Sequence, residues 1–120
     1  MYTAPKRTFL NPLQERILKP RGFDYKIQFP GPTGTNAVEA ALKLARKVKK
    51  RNNIFAFMGA FHGMTLGSLS MTTDRDSRQG AGVCLTDVTH IPTPYMFPDF
   101  DVLEYMQTLI DDDHSGVSKP

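Results

Sequence analysis

Apolar positions along this chain switch between a helical spacing and a two-residue spacing, and the switches divide it into short elements. In "FLNPLQERILKPRG" (residues 9–22) the spacing is helical. Asn11 stands where it can cap a first turn, Pro12 suits the first helical position, and Gln14 takes the return position of a capping box. Pro20 and Gly22 close that segment. "DYKIQF" then alternates, with Tyr25, Ile27 and Phe29 on one face and Lys26 and Gln28 on the other, a strand pattern stopped by Pro30 and Gly31. Helical spacing returns with Ala37, Ala41, Leu44 and Val48 as an apolar face and Glu39, Lys43, Arg46 and Lys50 opposite it. Glu39 precedes Lys43 by four residues, the favourable order for an ion pair. "NIFAFM" is a short apolar run of the buried-strand type. Strand, helix and strand over this length predict a βαβ unit and a parallel sheet.

The second half is more broken. "GAFHGMTLGSLSMTT" reads as a glycine-punctuated loop entering a short helix or turn, "DRDSRQGAGVCLTD" as a polar surface loop, and "VTHIP" as a third strand. "TPYMFPDF" is irregular. Asp101 is placed to cap a last helix, with Glu104 in the box position and Val102, Met106, Leu109 and Ile110 on its inner face. "DDDHSGVSKP" is a polar tail, and a solvated loop explains its acidic run better than a metal site.

Length and charge refine this picture. The 120 residues suffice for one small domain with a modest core, and the sequence shows no internal repeat or linker. No apolar run is long enough for a membrane span, and no secretory start is visible. The lone Cys84 leaves no internal disulfide and suits a reducing compartment, so a cytoplasmic location is expected. The net charge of +3 comes largely from "PKR", "KPRG" and "RKVKKRNN". Lys47, Lys49, Lys50 and Arg51 fall at the end of a helix, where cations complement its dipole, and no aromatic residues interleave with them to stack bases. A solvated helix end is preferred to a nucleic-acid surface.

The stretch with most chemical content is "FPGPTGTNAVEAALKLAR", a tight loop between a strand end and a helix start. Backbone N–H groups there favour an anion, and glycine permits close approach. A Walker A pattern counted from Gly31 requires Gly-Lys at Asn36-Ala37, and a dinucleotide fingerprint requires a third glycine. Neither is present. On local residues alone, an anion cradle and a plain turn before a well-capped helix both stand. His62, His90 and His114 share no metal-ligand spacing with one another or with Cys84.

"GPTGTNAVEAALKLAR" followed by "FMGAFHGMTLGSLS" resembles the class III aminotransferases, pyridoxal 5′-phosphate (PLP) enzymes of fold type I. "LKPRGFDYKIQFPGPTGTNAVEAALKLAR" looks in particular like the subgroup that uses L-2,4-diaminobutyrate as amino donor and 2-oxoglutarate as acceptor. The similarity runs from about Tyr2 to the end. It implies a three-layer α/β/α arrangement with a parallel sheet, residues 1–120 being part of the large domain. It implies that the amides of Gly34 and Thr35, with the Thr35 hydroxyl, hold the cofactor phosphate. Phe61 matches the aromatic residue that stacks on the pyridine ring, His62 lies near ring or substrate, and Gly63 permits the turn. Without the resemblance, Phe61 reads as core.

The same resemblance implies what is missing. The family's Schiff-base lysine and the acid that pairs with the pyridine nitrogen fall in motifs downstream of this chain, and its N-terminal portion falls upstream. No catalytic residue is therefore expected among these residues, and the 120 residues alone are expected to be inactive. The family builds its active site across a dimer, so a homodimer or larger homo-oligomer is implied for the complete protein. The alternatives are a non-catalytic phosphate- or PLP-binding module and a degenerate structural piece.

Overall fold

The computed structural model describes residues 3–120; Tyr2, where the resemblance begins, lies outside the described residues. The chain opens with helix α1 (Ala4–Leu13), continues through a π-helical turn (Gln14–Leu18) and a 3-10 turn (Lys19–Arg21), and ends this run at Gly22 in the left-handed conformation, φ +68°. Asn11 does not cap it. Thr3 does, its hydroxyl accepting the Lys6 N–H, and Pro12 lies inside the helix. There Pro12 removes the hydrogen bond that would reach the Thr8 carbonyl, and the ladder beyond it widens into the π-turn. Gly22 and Phe23 close the end by donating to the carbonyls of Lys19 and Leu18, a Schellman arrangement.

Residues 23–33 form no strand. The alternation at Tyr25, Ile27 and Phe29 does report one face, but that face lines a groove against Lys6, Leu10, Gln14 and Leu18 of the first helical run. Phe29 meets Phe9 edge to face at 6.5 Å and lies under the Lys6 ammonium. A two-residue period places side chains on one face; it does not supply a neighbouring strand to bond the backbone. The predicted pairing of residues 25–29 with residues 54–57 is thus corrected.

The parallel sheet is present in another pairing. Strand β1 (Ile54–Phe57) pairs in parallel with β2 (Val88–Ile91), in the register Ile54–Val88 to Phe57–Ile91. Helix α2 (Gly34–Lys49) precedes β1. Two short helices, α3 (Leu66–Met71) and α4 (Arg75–Gln79), connect β1 to β2. Part of the stretch predicted as surface loop is therefore helical: the Asp74 carboxylate accepts the Ser77 N–H and caps α4. Helix α5 (Val102–Asp111) follows the irregular residues as predicted, with the Asp101 carboxylate accepting the amides of Leu103 and Glu104. Among the described residues no helix is long and apolar enough to cross a membrane.

The core gathers Leu42 of α2, Ala56 of β1 and Met71 of α3, with Val38, Ile54 and Val88 packed against them. The inner face of α2 is therefore not the one the apolar spacing indicated. Leu44 and Val48 are 57% and 64% exposed, while Leu42 is buried and Thr35, Glu39 and Arg46 are half-buried. The alanines are too small to mark a face, and polar residues with partners hold the inward positions. Arg46 donates from Nε to the Asn52 carbonyl at 2.8 Å, and Glu39 turns toward α3 instead of Lys43.

The end of α3 is held from outside the helix. One terminal nitrogen of Arg78 donates to the carbonyls of Leu69, Ser70 and Thr72 at 3.1, 2.9 and 2.8 Å. These belong to the last turn, whose carbonyls lack intrahelical donors. Charge-assisted bonds of this kind contribute about 1.5–3 kcal/mol. Arg78→Met is expected to lower unfolding stability by about 1.5–3 kcal/mol, read from the urea midpoint at constant slope. An unchanged midpoint would show that the guanidinium is not structural.

Candidate functional site

Helix α2 begins at the N-cap Thr33, whose hydroxyl accepts the Asn36 N–H at 3.2 Å. The amides of Gly34 and Thr35, at the first two helical positions, have no acceptor within the helix. They stand at the positive end of a 16-residue dipole. Gly34 differs from most glycines of the chain. Its φ is not positive, and a Cβ built on it meets nothing within 4 Å. Neither backbone conformation nor packing requires glycine there; the missing side chain opens space in front of the helix.

The facing wall is the turn after β1. It is tied to the residues that follow α3: His62 N–H donates to Thr72 Oγ1 at 2.9 Å, Gly59 N–H to Thr73 Oγ1 at 2.9 Å, and Thr73 N–H to the Ala60 carbonyl at 3.1 Å. The fully buried Thr72 also donates its hydroxyl to the Gly63 carbonyl. Gly63 has φ +124°, and a Cβ there would lie 2.6 Å from Thr35 Cβ. Conformation and contact both demand glycine. The two walls enclose an open cleft of about 520 Å³, with residues 33–35 and Val38 on one side and residues 61–64 on the other. Gly34, Thr35, Phe61 and His62, the four residues singled out in the sequence, line it together. Phe61 is 64% exposed over this space and is not core. Among the described residues no lysine lines the cleft.

Behind the cleft lies a hydroxyl cluster. Thr35 Oγ1 is 2.6 Å from Ser68 Oγ and 2.9 Å from Thr65 Oγ1, and the latter two are 2.9 Å apart. Thr65 donates to Glu39 Oε1, and that oxygen also accepts the Ser68 N–H at 3.0 Å. The Thr65 hydroxyl bond, foremost, together with the amides of Ser68 and Gly67 and the Arg46 charge, holds the Glu39 carboxyl below its usual range, although burial pushes the other way. Sequence reasoning missed Glu39, Thr65 and Ser68 as members of the site. No local signal marks Thr65 or Ser68, and the helical spacing puts Glu39 on the solvent face. On β2, burial and then the Arg78 charge lower the pKa of His90, whose Nε2 is buried without a hydrogen-bond partner.

The family model described as aminotransferase class-III matches residues 3–117. Proteins named diaminobutyrate–2-oxoglutarate transaminase are similar over the whole chain. Those of Halalkalibacterium halodurans and Virgibacillus pantothenticus are each 50% identical, and that of Streptomyces avermitilis is 52% identical. Each alignment covers 100% of this chain but only 28–29% of the relative, so the chain spans less than a third of their length. The taurine:2-oxoglutarate aminotransferase of Bifidobacterium kashiwanohense, solved with PLP and glutamate, superposes with a TM-score of 0.68 at 22% identity. That match covers 92% of this chain and 27% of the other, and it establishes the shared fold.

Glu39 gives the site a pH signature. A carboxyl whose folded pKa lies below its unfolded one contributes stability that is complete above the unfolded value and is lost as pH falls through the folded value. Glu39→Gln removes this dependence and keeps an acceptor oxygen. The stability difference between wild type and Glu39→Gln is expected to be constant above about pH 5 and to decline in wild type's disfavour below about pH 4. Urea midpoints of both proteins across that range measure it. Asp74, also held low, is common to both and cancels. A difference that moves toward wild type in acid would refute the assignment.

Proposed function

The chain belongs to the aminotransferase class-III family, and on that footing we propose that its 120 residues form the phosphate-binding part of a PLP-dependent aminotransferase large domain. The observation that carries the reading is Gly34: a glycine that neither φ nor packing requires, at a helix start with free amides, facing the cleft that Phe61 and His62 also line. The residues fit the group. Gly34 and Thr35 bind the phosphate dianion through backbone N–H groups, and the absent Cβ leaves room for its oxygens. Phe61 presents its ring face to the cofactor and fixes its plane, His62 borders the same space, and Gly63 lets the two walls approach. When bound, PLP supplies the electron sink for amino transfer.

For the complete protein we infer the reaction named for its relatives. The amino group of L-2,4-diaminobutyrate passes to 2-oxoglutarate, giving aspartate 4-semialdehyde and glutamate, a step that feeds ectoine synthesis. The complete protein is proposed to act in the cytoplasm as a homodimer or larger homo-oligomer. The lysine-free lining of the cleft favours a second statement about this segment. It binds the cofactor without catalysing transfer, because the Schiff-base lysine and the acid facing the pyridine nitrogen are not among its residues.

Pyridoxine 5′-phosphate tests the cradle, since it carries the phosphate and ring but no aldehyde to react with surface lysines. By equilibrium dialysis, Thr35→Ala is expected to lose about threefold in affinity, because the backbone donors remain, and Gly34→Val at least about tenfold. Gly34→Val is expected to keep thermal stability within about 0.5 kcal/mol, its position being open. Equal affinity in all three proteins would overturn the assignment. The 120-residue chain mixed with PLP, diaminobutyrate and 2-oxoglutarate is expected to yield no glutamate beyond a PLP control without protein.

A further inference from the structure

Helix α3 has an unusual start. Its N-cap residue, Thr65, makes no side-chain capping bond to the helix. Its hydroxyl instead donates to Glu39 Oε1, and the same carboxylate oxygen accepts the N–H of Ser68, the third helical residue. The acceptor that an N-cap side chain ordinarily supplies thus comes from α2, 29 residues earlier in the chain.

Two glycines permit this approach. Gly63 admits Thr35, as described above. Gly67 has no positive φ, and the three atoms nearest a Cβ there all belong to the Glu39 carboxyl, whose carbon would lie 2.9 Å away. Gly67 is therefore explained by the carboxylate.

The hydroxyl cluster extends the network to the cleft. Thr65 gives its proton to Glu39, and Ser68 Oγ donates to the Thr65 carbonyl at 3.0 Å. The Thr35 hydroxyl joins the same cluster, 2.6 Å from Ser68 Oγ and 2.9 Å from Thr65 Oγ1, and either oxygen of each pair can donate. Thr35 is thereby tied to the groups that Glu39 orients. Thr35 also lines the cleft, so the network reaches the cleft wall.

We propose that Glu39 is a positioning residue for the anion cradle: through Thr65 and Ser68 it fixes α3, and with it the turn of Phe61 and His62, at a set distance from the amides of Gly34 and Thr35. Glu39 lines no part of the cleft. The inference rests on the PLP-phosphate reading of that cleft and adds a residue that the sequence placed on the solvent face.

The test uses the 120-residue chain, with pyridoxine 5′-phosphate and inorganic phosphate as probes, followed by equilibrium dialysis and by the 31P shift of the bound phosphate. Glu39→Ala is expected to weaken pyridoxine 5′-phosphate binding by about tenfold, the lower end of losses on removing outer-shell support. Glu39→Gln, which keeps an acceptor oxygen, is expected to return to within about threefold of wild type. Gly67→Ala displaces an intact carboxylate and should match Glu39→Ala, and the double variant should lose no more than either single one. Asp101→Ala is the control for general loosening, since it uncaps α5, which contributes no residue to the cleft. At a temperature where thermal scans show every protein folded, it should bind as wild type does. Affinity in Glu39→Ala equal to wild type, or a loss in Asp101→Ala as large as that in Glu39→Ala, would overturn the positioning role while leaving the cradle standing. Wild type that binds neither probe would overturn the cradle and this inference with it.

Discussion

Helix α3 is only six residues long, too short to persist by itself, because nucleating a helix fixes several residues before hydrogen bonds repay the lost entropy. It is held at both ends by charges from other elements. The Glu39 carboxylate takes an amide at its start, and the Arg78 guanidinium takes carbonyls at its finish. The signs match the helix dipole, negative at the N-terminus and positive at the C-terminus. The placement of the cleft's second wall follows, because Thr72 and Thr73, just beyond α3, bond back to the Phe61–His62 turn.

This arrangement gives the glycines of the site different physical duties. Gly63 is compelled by a left-handed backbone and by contact with Thr35, and Gly67 by contact with a carboxylate. Gly34 is compelled by nothing inside the protein. A glycine at a helix start carries an entropic cost relative to alanine. The space it leaves open lies at the start of α2, on the cleft wall. The distinction between glycines that their surroundings demand and one that they do not is visible only with neighbours in view. In sequence, Gly34 and Gly63 look alike.

What could be read along the chain followed from what local patterns encode. The Asp101 cap and inner face of α5, the strands at residues 54–57 and 88–91, and the glycine-rich turn at residues 59–63 are local features, and they were legible. The order and spacing of two motifs also revealed the family and the four residues that meet in the cleft. The cap at Asn11 failed because Thr3, with Pro5 just after it, offered an earlier start, and Pro12 was tolerated inside a helix that then widened. Glu39 was misplaced because a charged residue is assigned to solvent unless its partner is known, and its partners lie on α3. Local rules break down where a buried polar network is being built, and here that network stands behind the candidate site.

The misread faces of residues 25–29 and of α2 share one cause. An apolar period records a face that is to be covered and carries no name for what covers it. At residues 25–29 the face turns to a helix, so the side chains alternate as in a strand while the backbone forms no ladder. On α2 two stripes compete. Val38 and Leu42 meet the sheet and α3, whereas Leu44 and Val48 face outward within this chain. The chain spans less than a third of its relatives' length, so the partner of a periodic stripe need not lie among its residues. Polar contacts resolve the ambiguity that apolar ones leave. Thr35, Glu39 and Arg46 fix the rotation of α2 because each has a specific partner, in α3 or at the entry to β1. That rotation puts Gly34, Thr35 and Val38 on the cleft wall. The orientation of this cleft wall is therefore set by hydrogen bonds at half-buried positions, and the apolar core supplies the adhesion that lets them form.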